Sequence, residues 1–310
     1  MTTIQATEER RRPPKRRRTR FQRRQTRMAW AMLVPALALV TLVAIYPLAR
    51  TIYDSFTNRQ FLGGIEPIEF VGLQNYRDLL DDTIFRDSIV VTVKFTVITV
   101  AVELVLGMII ALAVNSGFRG RGAMRAMMLI PWAIPTVVAA QMWKWMLDDV
   151  FGVVNDAGVR LHLIDEPVAW ISQSSTALAS VCIVDIWKTT PFVALLLLAG
   201  LQVIPRELYE AGDVDGVSKW RQFWKITLPL LMPTIFVVLI FRTLDALRVF
   251  DVFYVFFGSR LDTQTMAIYT QNTIVSSGDV GYGAAMSVAI FLIIGMFVAI
   301  YATVMRVRGE

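Results

Sequence analysis

Apolar residues gather in six long runs separated by short polar stretches. They extend from Trp30 to Arg50, Ile89 to Val114, Met124 to Leu147, Thr176 to Val203, Pro229 to Phe257 and Gly283 to Met305. A helix needs roughly 20 residues to cross about 30 Å of hydrocarbon, so each run predicts one transmembrane helix. Pro131, Pro135 and Pro191 interrupt two of the runs, which a helix bundle tolerates better than lipid does. The expected fold is an all-α membrane protein with six transmembrane helices. Composition agrees: of 310 residues, 55% are hydrophobic and 18% charged, where a soluble domain carries about a quarter charged.

Charge sets the expected orientation. Eleven of the 31 basic residues precede Met28. With the N-terminus in the cytoplasm, alternate loops place 20 basic residues inside and six outside, as the positive-inside rule requires. Both N and C termini are then cytoplasmic. The tail over residues 1–28 is too charged to pack and reads as disordered, lying near anionic lipid that attracts each basic residue by about 1 kcal/mol at most. Residues 29–83 supply the first transmembrane helix and an external loop. Residues 84–305 supply a five-helix core with a cytoplasmic loop over 204–228, and residues 306–310 a second cytoplasmic tail. One Cys (Cys182) excludes an intramolecular disulfide, and one His (His162) a paired-His metal site.

The loop from Ile204 to Leu228 reads IPRELYEAGDVDGVSKWRQFWKITL. Pro205 suits the first turn of a helix, with Glu207 and Glu210 near its positive end. Asp215-Gly216 marks a turn. Ser218 then reads as an N-cap, and Trp220, Phe223 and Trp224 fall on one face of a second short helix before Pro229 opens the next span. Two short helices about a glycine turn make a knob projecting into the cytoplasm, or an elbow that packs under the bundle.

These residues resemble the loop signature of permease subunits in binding-protein-dependent ABC importers: EAA, three residues, Gly, then nine residues and I-x-L-P. The chain carries Glu210-Ala211-Gly212, Gly216, Ile226, Leu228 and Pro229 at that spacing, with Gly212 in place of the third Ala. Gly152 to Asn155, Phe250-Asp251 and Gly281-Tyr282 are similar to the sugar-permease branch, and the likeness extends over about Ile84 to Val304. Val91, where an Asn commonly precedes Thr92, and Gly258-Ser259-Arg260, in place of Gly-Gly-Pro, depart from it. In overall character the chain is most similar to the first permease subunit of trehalose importers.

The resemblance implies a type I ABC importer permease fold and a noncatalytic half of a translocation pathway. Its implied partners are a second permease subunit, two ATPase subunits that bind ATP and Mg, and an extracytoplasmic sugar-binding protein. It implies import of a sugar, a disaccharide such as trehalose, by alternating access. Glu210, Ala211, Gly212, Asp215, Gly216, Val217 and Trp220 would couple to the ATPase. Independently, the sequence contains no G-x-x-x-x-G-K-[ST] phosphate loop.

Nine ionisable residues fall within the predicted spans: Lys94, Glu103, Lys144, Asp185, Lys188, Arg242, Asp245, Arg248 and Asp251. At roughly 3 kcal/mol each they would cost on the order of 25 kcal/mol against lipid, so they must pair or face water. Glu103 and Lys144 read as mutual partners or as reaching the interface. Lys188 precedes Ile204 by 16 residues and Asp245 follows Pro229 by 16, while Asp185 and Arg248 are each 19 away. An antiparallel pair would therefore set Lys188 level with Asp245 and Asp185 level with Arg248. With Trp187, Thr189, Phe192 and Arg242 these residues either line a polar sugar pathway or lock two helices together. The alternative function is a proton-coupled secondary transporter in which Asp185, Asp245 or Asp251 relays protons. That reading lacks a visible inverted repeat and gives the knob no role.

Overall fold

The structure, a computed structural model, describes residues 20–61, 67–117 and 119–309. The described residues up to Arg50 form one compact unit and those from Thr51 onward another. Helix α1 (Arg20–Val40) of the first passes through a π turn (Thr41–Ile45) into α2 (Tyr46–Asp54), whose last residues, from Thr51, belong to the second. The helix begins at Arg20, inside the stretch expected to be a tail; residues 1–19 of that stretch lie outside the described residues.

The second unit holds the remaining helices. A short α3 (Gln74–Asp81) leads into α4 (Thr83–Asn115), which starts where the Asp82 carboxylate accepts the Phe85 N–H at 3.0 Å. Then come α5 (Arg121–Met128), α6 (Ile130–Ala133) and α7 (Thr136–Met146). The stretch that follows carries α8 (Val153–Arg160) and leads to the long α9 (Ser174–Leu201). Two short helices, α10 (Arg206–Val214) and α11 (Lys219–Gln222), precede a π turn (Phe223–Thr227) and α12 (Leu228–Ala246). Helices α13 (Asp251–Phe257) and α14 (Met266–Gln271) lead to α15 (Val280–Gly309). Helix α15 continues to Gly309, so residues 306–309 are helical.

Five helical runs among the described residues are long and apolar enough to cross a membrane, and the α5–α7 segment makes a sixth if counted as one crossing. That segment is not the straight span expected from Met124 to Leu147: it bends by 87° between Ala133 and Thr136. Ile134, preceding Pro135, is held extended at ψ 131°, so the helix stops there and restarts. The run from Pro229 to Phe257 is interrupted too, by a turn between Ala246 and Asp251.

Helices α4 and α9 form the axis of the core. Toward one end Phe95, Val181 and Val184 pack with Phe253, whose ring meets Phe95 edge-on at 5.0 Å. Toward the other, Met108, Ala111, Val193 and Leu197 pack with Leu231 and Ile235 of α12. Association of spans gains little from water exclusion, since lipid is as apolar as leucine, so close packing and polar contacts decide which helices meet.

Candidate functional site

Arg242 lies on α12 with its side chain 3% exposed, at a depth where an unpaired guanidinium would be costly. It is met by three carboxylates. Its Nε donates to Glu103 Oε2 at 2.6 Å and its Nη2 to Glu103 Oε1 at 3.0 Å, a bidentate pair with α4. Nη2 also donates to Asp185 Oδ2 of α9 at 2.9 Å, and Nη1 to Asp245 Oδ2, one turn along α12, at 2.6 Å. Thr189 donates its hydroxyl to Glu103 Oε1. The node thus ties α4, α9 and α12 together at one level.

Exposure grades across it. The Glu103 side chain is 0% exposed, Asp185 14% and Asp245 69%. The exposed end opens into two adjoining cavities of about 200 Å³ and 350 Å³, both bordered by Trp132, Thr189, Asp245 and Arg248. Asp185, Lys188 and Asp251 border the smaller, and Phe192 the larger. Trp132 and Phe192 stack with centroids 5.6 Å apart and planes 11° from parallel. Trp132 sits beside the 87° bend, where interruption of the helix frees backbone carbonyls, and Lys188 Nζ donates to one of them, Trp132 O, at 3.4 Å.

The expected ion pairs are corrected by this geometry. Lys188, Asp245, Asp185 and Arg248 do border one cavity. Asp185 and Asp245 nevertheless both pair with Arg242, Lys188 turns to the Trp132 carbonyl, and Arg248 Nε donates to Leu244 O at 3.0 Å. Counting along two helices gives height; it does not give direction about the axis. Glu103 and Lys144 are not partners either. Lys144 is on α7, which packs against α13, and donates to Val255 O at 2.7 Å, while Glu103 faces α9 and α12. Trp187 meets Trp143 edge-on at 5.5 Å, away from the stacked pair. Trp132 escaped the sequence reading, although its setting between Pro131 and Pro135 marks a broken helix at membrane depth.

The knob between α9 and α12 forms largely as expected. Helix α10 starts after Pro205 and ends in a glycine cap: Gly216 has φ +69°, Gly216 N–H donates to Asp213 O at 3.1 Å and Val217 N–H to Gly212 O at 2.8 Å. Glu210, Ala211 and Asp215 are exposed on it, as is Trp220 at 72%. Trp220, Phe223 and Trp224 cluster with centroids 5.3 to 6.1 Å apart. Two details differ. Ser218 occupies the N-cap position without a side-chain cap bond, and α11 is not separated from the span but runs through the π turn straight into α12. Asp213 is held below the usual carboxylate range by the Lys219 ammonium at 2.7 Å and the Gln222 amide at 2.6 Å.

In the stretch Gly152 to Asn155, it is Asn155 that makes the side-chain hydrogen bonds. Asn155 donates to Asp149 O and Val168 O, and accepts from Val168 N–H and Trp170 Nε1, fixing the loop before α9. Tyr282, from Gly281-Tyr282, donates to Asp82 at 2.7 Å, as does Tyr269.

Comparison with known proteins places this architecture. Residues 103–307 match the family described as binding-protein-dependent transport system inner membrane component. The chain is 42% identical over 283 residues to the sulfoquinovosyl glycerol transport system permease protein SmoG of Agrobacterium fabrum, covering 91% of each. It is 40% identical over 288 residues to the trehalose/maltose transport system permease protein MalF of Thermococcus litoralis, covering 93% of this chain and 96% of that one. A chain of a bacterial ABC transporter involved in the import of the acidic polysaccharide alginate shares the fold, with a TM-score of 0.80 at 21% identity over 93% of this chain and 99% of that one. The multi-pass helical fold and these matches together show that the chain belongs to the inner-membrane permeases of binding-protein-dependent transport systems.

Proposed function

We propose that this permease is one half of the translocation pathway of an ATP-driven importer, moving a neutral disaccharide of the trehalose or maltose kind into the cytoplasm. Both termini and the α10–α11 knob lie on the cytoplasmic side in this reading. A second permease subunit completes the pathway, two ATPase subunits holding ATP and Mg dock on the knobs, and an external binding protein delivers the sugar. Glu210 to Val217 and Trp220 form the docking turn; Asp185, Lys188, Thr189, Asp245 and Arg248, with the Phe192 face, border the path.

The observation that carries the proposal is the cavity pair beside the Arg242 node. It offers hydroxyl-matching donors and acceptors next to a stacked aromatic wall, the combination that a polyhydroxylated, partly apolar sugar ring requires. Its charge favours a neutral solute. Glu103, Asp185, Asp245 and Asp251 stand against Lys188, Arg242 and Arg248, so an anionic sugar would meet no excess of positive charge. Alternating access follows when ATPase closure displaces the knobs and, through α12, the node.

The test is uptake by proteoliposomes containing the whole complex and its binding protein. Labelled trehalose or maltose should accumulate with ATP, unaffected by a proton gradient alone. Accumulation of a sulfonated or carboxylated sugar in preference to both would overturn the neutral assignment, and uptake without the ATPase would overturn the mechanism.

A further inference from the structure

Gln222, the last residue of α11, is 2% exposed although it is a polar residue at the start of the helical run that leads into α12. Its Nε2 donates to Asp213 Oδ1 at 2.6 Å and to Val217 O at 3.1 Å, so one amide grips the end of α10 and the far side of the Gly216 turn. Both partners are acceptors, which fixes the amide with its NH₂ toward the turn. The room it fills belongs to Gly212. A Cβ on Gly212 would lie 3.2 Å from Gln222 Nε2, a tight approach that the amide could meet only by giving way, and at ordinary contact distance, 3.5 Å, from its Cγ and Cδ. The departure from the EAA signature is therefore matched by the side chain ten residues later.

Beyond Gln222 the chain does not break. The π turn Phe223–Thr227 joins α11 to α12, and Tyr209 of α10 shares a hydrogen bond with Thr227 at 3.0 Å, a second strut across the same corner. Arg242 follows Gln222 by 20 residues, about 30 Å along the helical run at 1.5 Å per residue.

We propose that Gln222 is a positioning residue that makes the coupling turn and α12 one rigid lever, and that glycine at position 212 leaves the Gln222 amide undisturbed where a Cβ would crowd it. This rests on the knob being the ATPase dock. A displacement applied at Glu210 to Val217 reaches the node only if the turn cannot flex against α11. The Gln222 amide supplies that stiffness, whereas the Asp213–Lys219 pair, exposed to solvent, adds little.

The test uses the assembled transporter in proteoliposomes, reading sugar taken up per ATP hydrolysed, the KM for sugar-loaded binding protein, and ATPase subunit retained on purification. Gln222→Leu keeps the volume and removes the grip. It should retain the ATPase and the KM while uptake per ATP falls at least fivefold, a change that a merely structural loss of complex would not produce. Gly212→Ala should lower the same ratio, and adding Gln222→Ala to it should cause no further fall beyond Gln222→Ala alone. An unchanged ratio in Gln222→Leu overturns the proposal. Should that variant fail to assemble, strictly additive effects of Gly212→Ala and Gln222→Ala overturn it instead. A cysteine at Val217 in the otherwise unaltered chain separates the two readings: no crosslink to the ATPase removes the dock itself, whereas a crosslink with normal coupling in Gln222→Leu removes only the lever.

Discussion

The Arg242 node and the Asp213–Gln222 corner are both polar stitches across three chain segments, yet they work under opposite conditions. At the node Arg242 and Glu103 are enclosed by the helices while Asp245 reaches solvent, and Arg242 uses four of its five N–H donors on carboxylates. At the corner the ion pair is open to water, with side chains 76% and 51% exposed, and only the Gln222 amide is enclosed. Low dielectric makes the node costly to break, because a lost partner leaves a buried charge. Water makes the corner cheap to break, so its conservative variants should change how motion is passed on while barely changing stability.

The sharpest way to break that contrast is Glu103→Ala. It strips Arg242 of its bidentate partner and should cost about 3–5 kcal/mol, seen as loss of folded permease in membranes or a large drop in the detergent unfolding midpoint. Asp245→Asn touches the same guanidinium from its wet side. With 69% of that side chain exposed, the expected loss is about 1 kcal/mol, with uptake reduced more than stability. The charge exchange Lys188→Asp with Asp245→Lys should behave as the sum of its single changes, since Lys188 contacts a carbonyl and Asp245 contacts Arg242. Recovery by the exchange would restore the pairing expected from helix counting.

A subtler probe uses acid. Burial alone would raise the Asp82 pKa, but hydrogen bonds from the Phe85 amide and the Tyr269 hydroxyl outweigh it, with Tyr282 and Ile84 adding to them, and hold it below the usual carboxylate value. A depressed folded value means the contribution is present above the ordinary carboxylate pKa and is lost as pH falls through the folded one. The unfolding midpoint of the unaltered protein should therefore drop between about pH 5 and pH 3 more than that of Asp82→Asn. Equal slopes would show that the clasp between α4, α14 and α15 does not depend on this charge. The smallest effect is expected at the corner: Lys219→Ala should shift stability by no more than about 0.5 kcal/mol.

Much of the architecture is legible in the chain because the bilayer is a simple solvent. Run length gives the spans, and the Gly216 turn with its flanking helices follows from local chemistry alone. What is not legible depends on rotation about helix axes. Arg242 and Lys188 are both long cations on spans flanking one loop, and nothing in their spacing says that Arg242 faces Glu103 while Lys188 faces a broken helix. Pro131 and Pro135 announce an interruption, but the sequence does not say that the chain turns by 87° there, because that angle is set by α9 and α13 packing against the two pieces. Gln222 is harder still, since a glutamine in a polar loop carries no sign of burial until Gly212 is seen beneath it.

The bend has a consequence for biosynthesis. Helix α7 has 11 residues, about 16 Å of rise, or half a bilayer. Such a piece cannot hold itself in lipid as it leaves the ribosome. Its ammonium at Lys144 is satisfied by the Val255 carbonyl, 111 residues later in the chain. The middle of the protein must therefore wait, shielded by the insertion machinery or by earlier helices, until the region around α13 has been translated. Truncation before that point should leave a nascent chain whose first crossings are secure and whose third is still uncommitted.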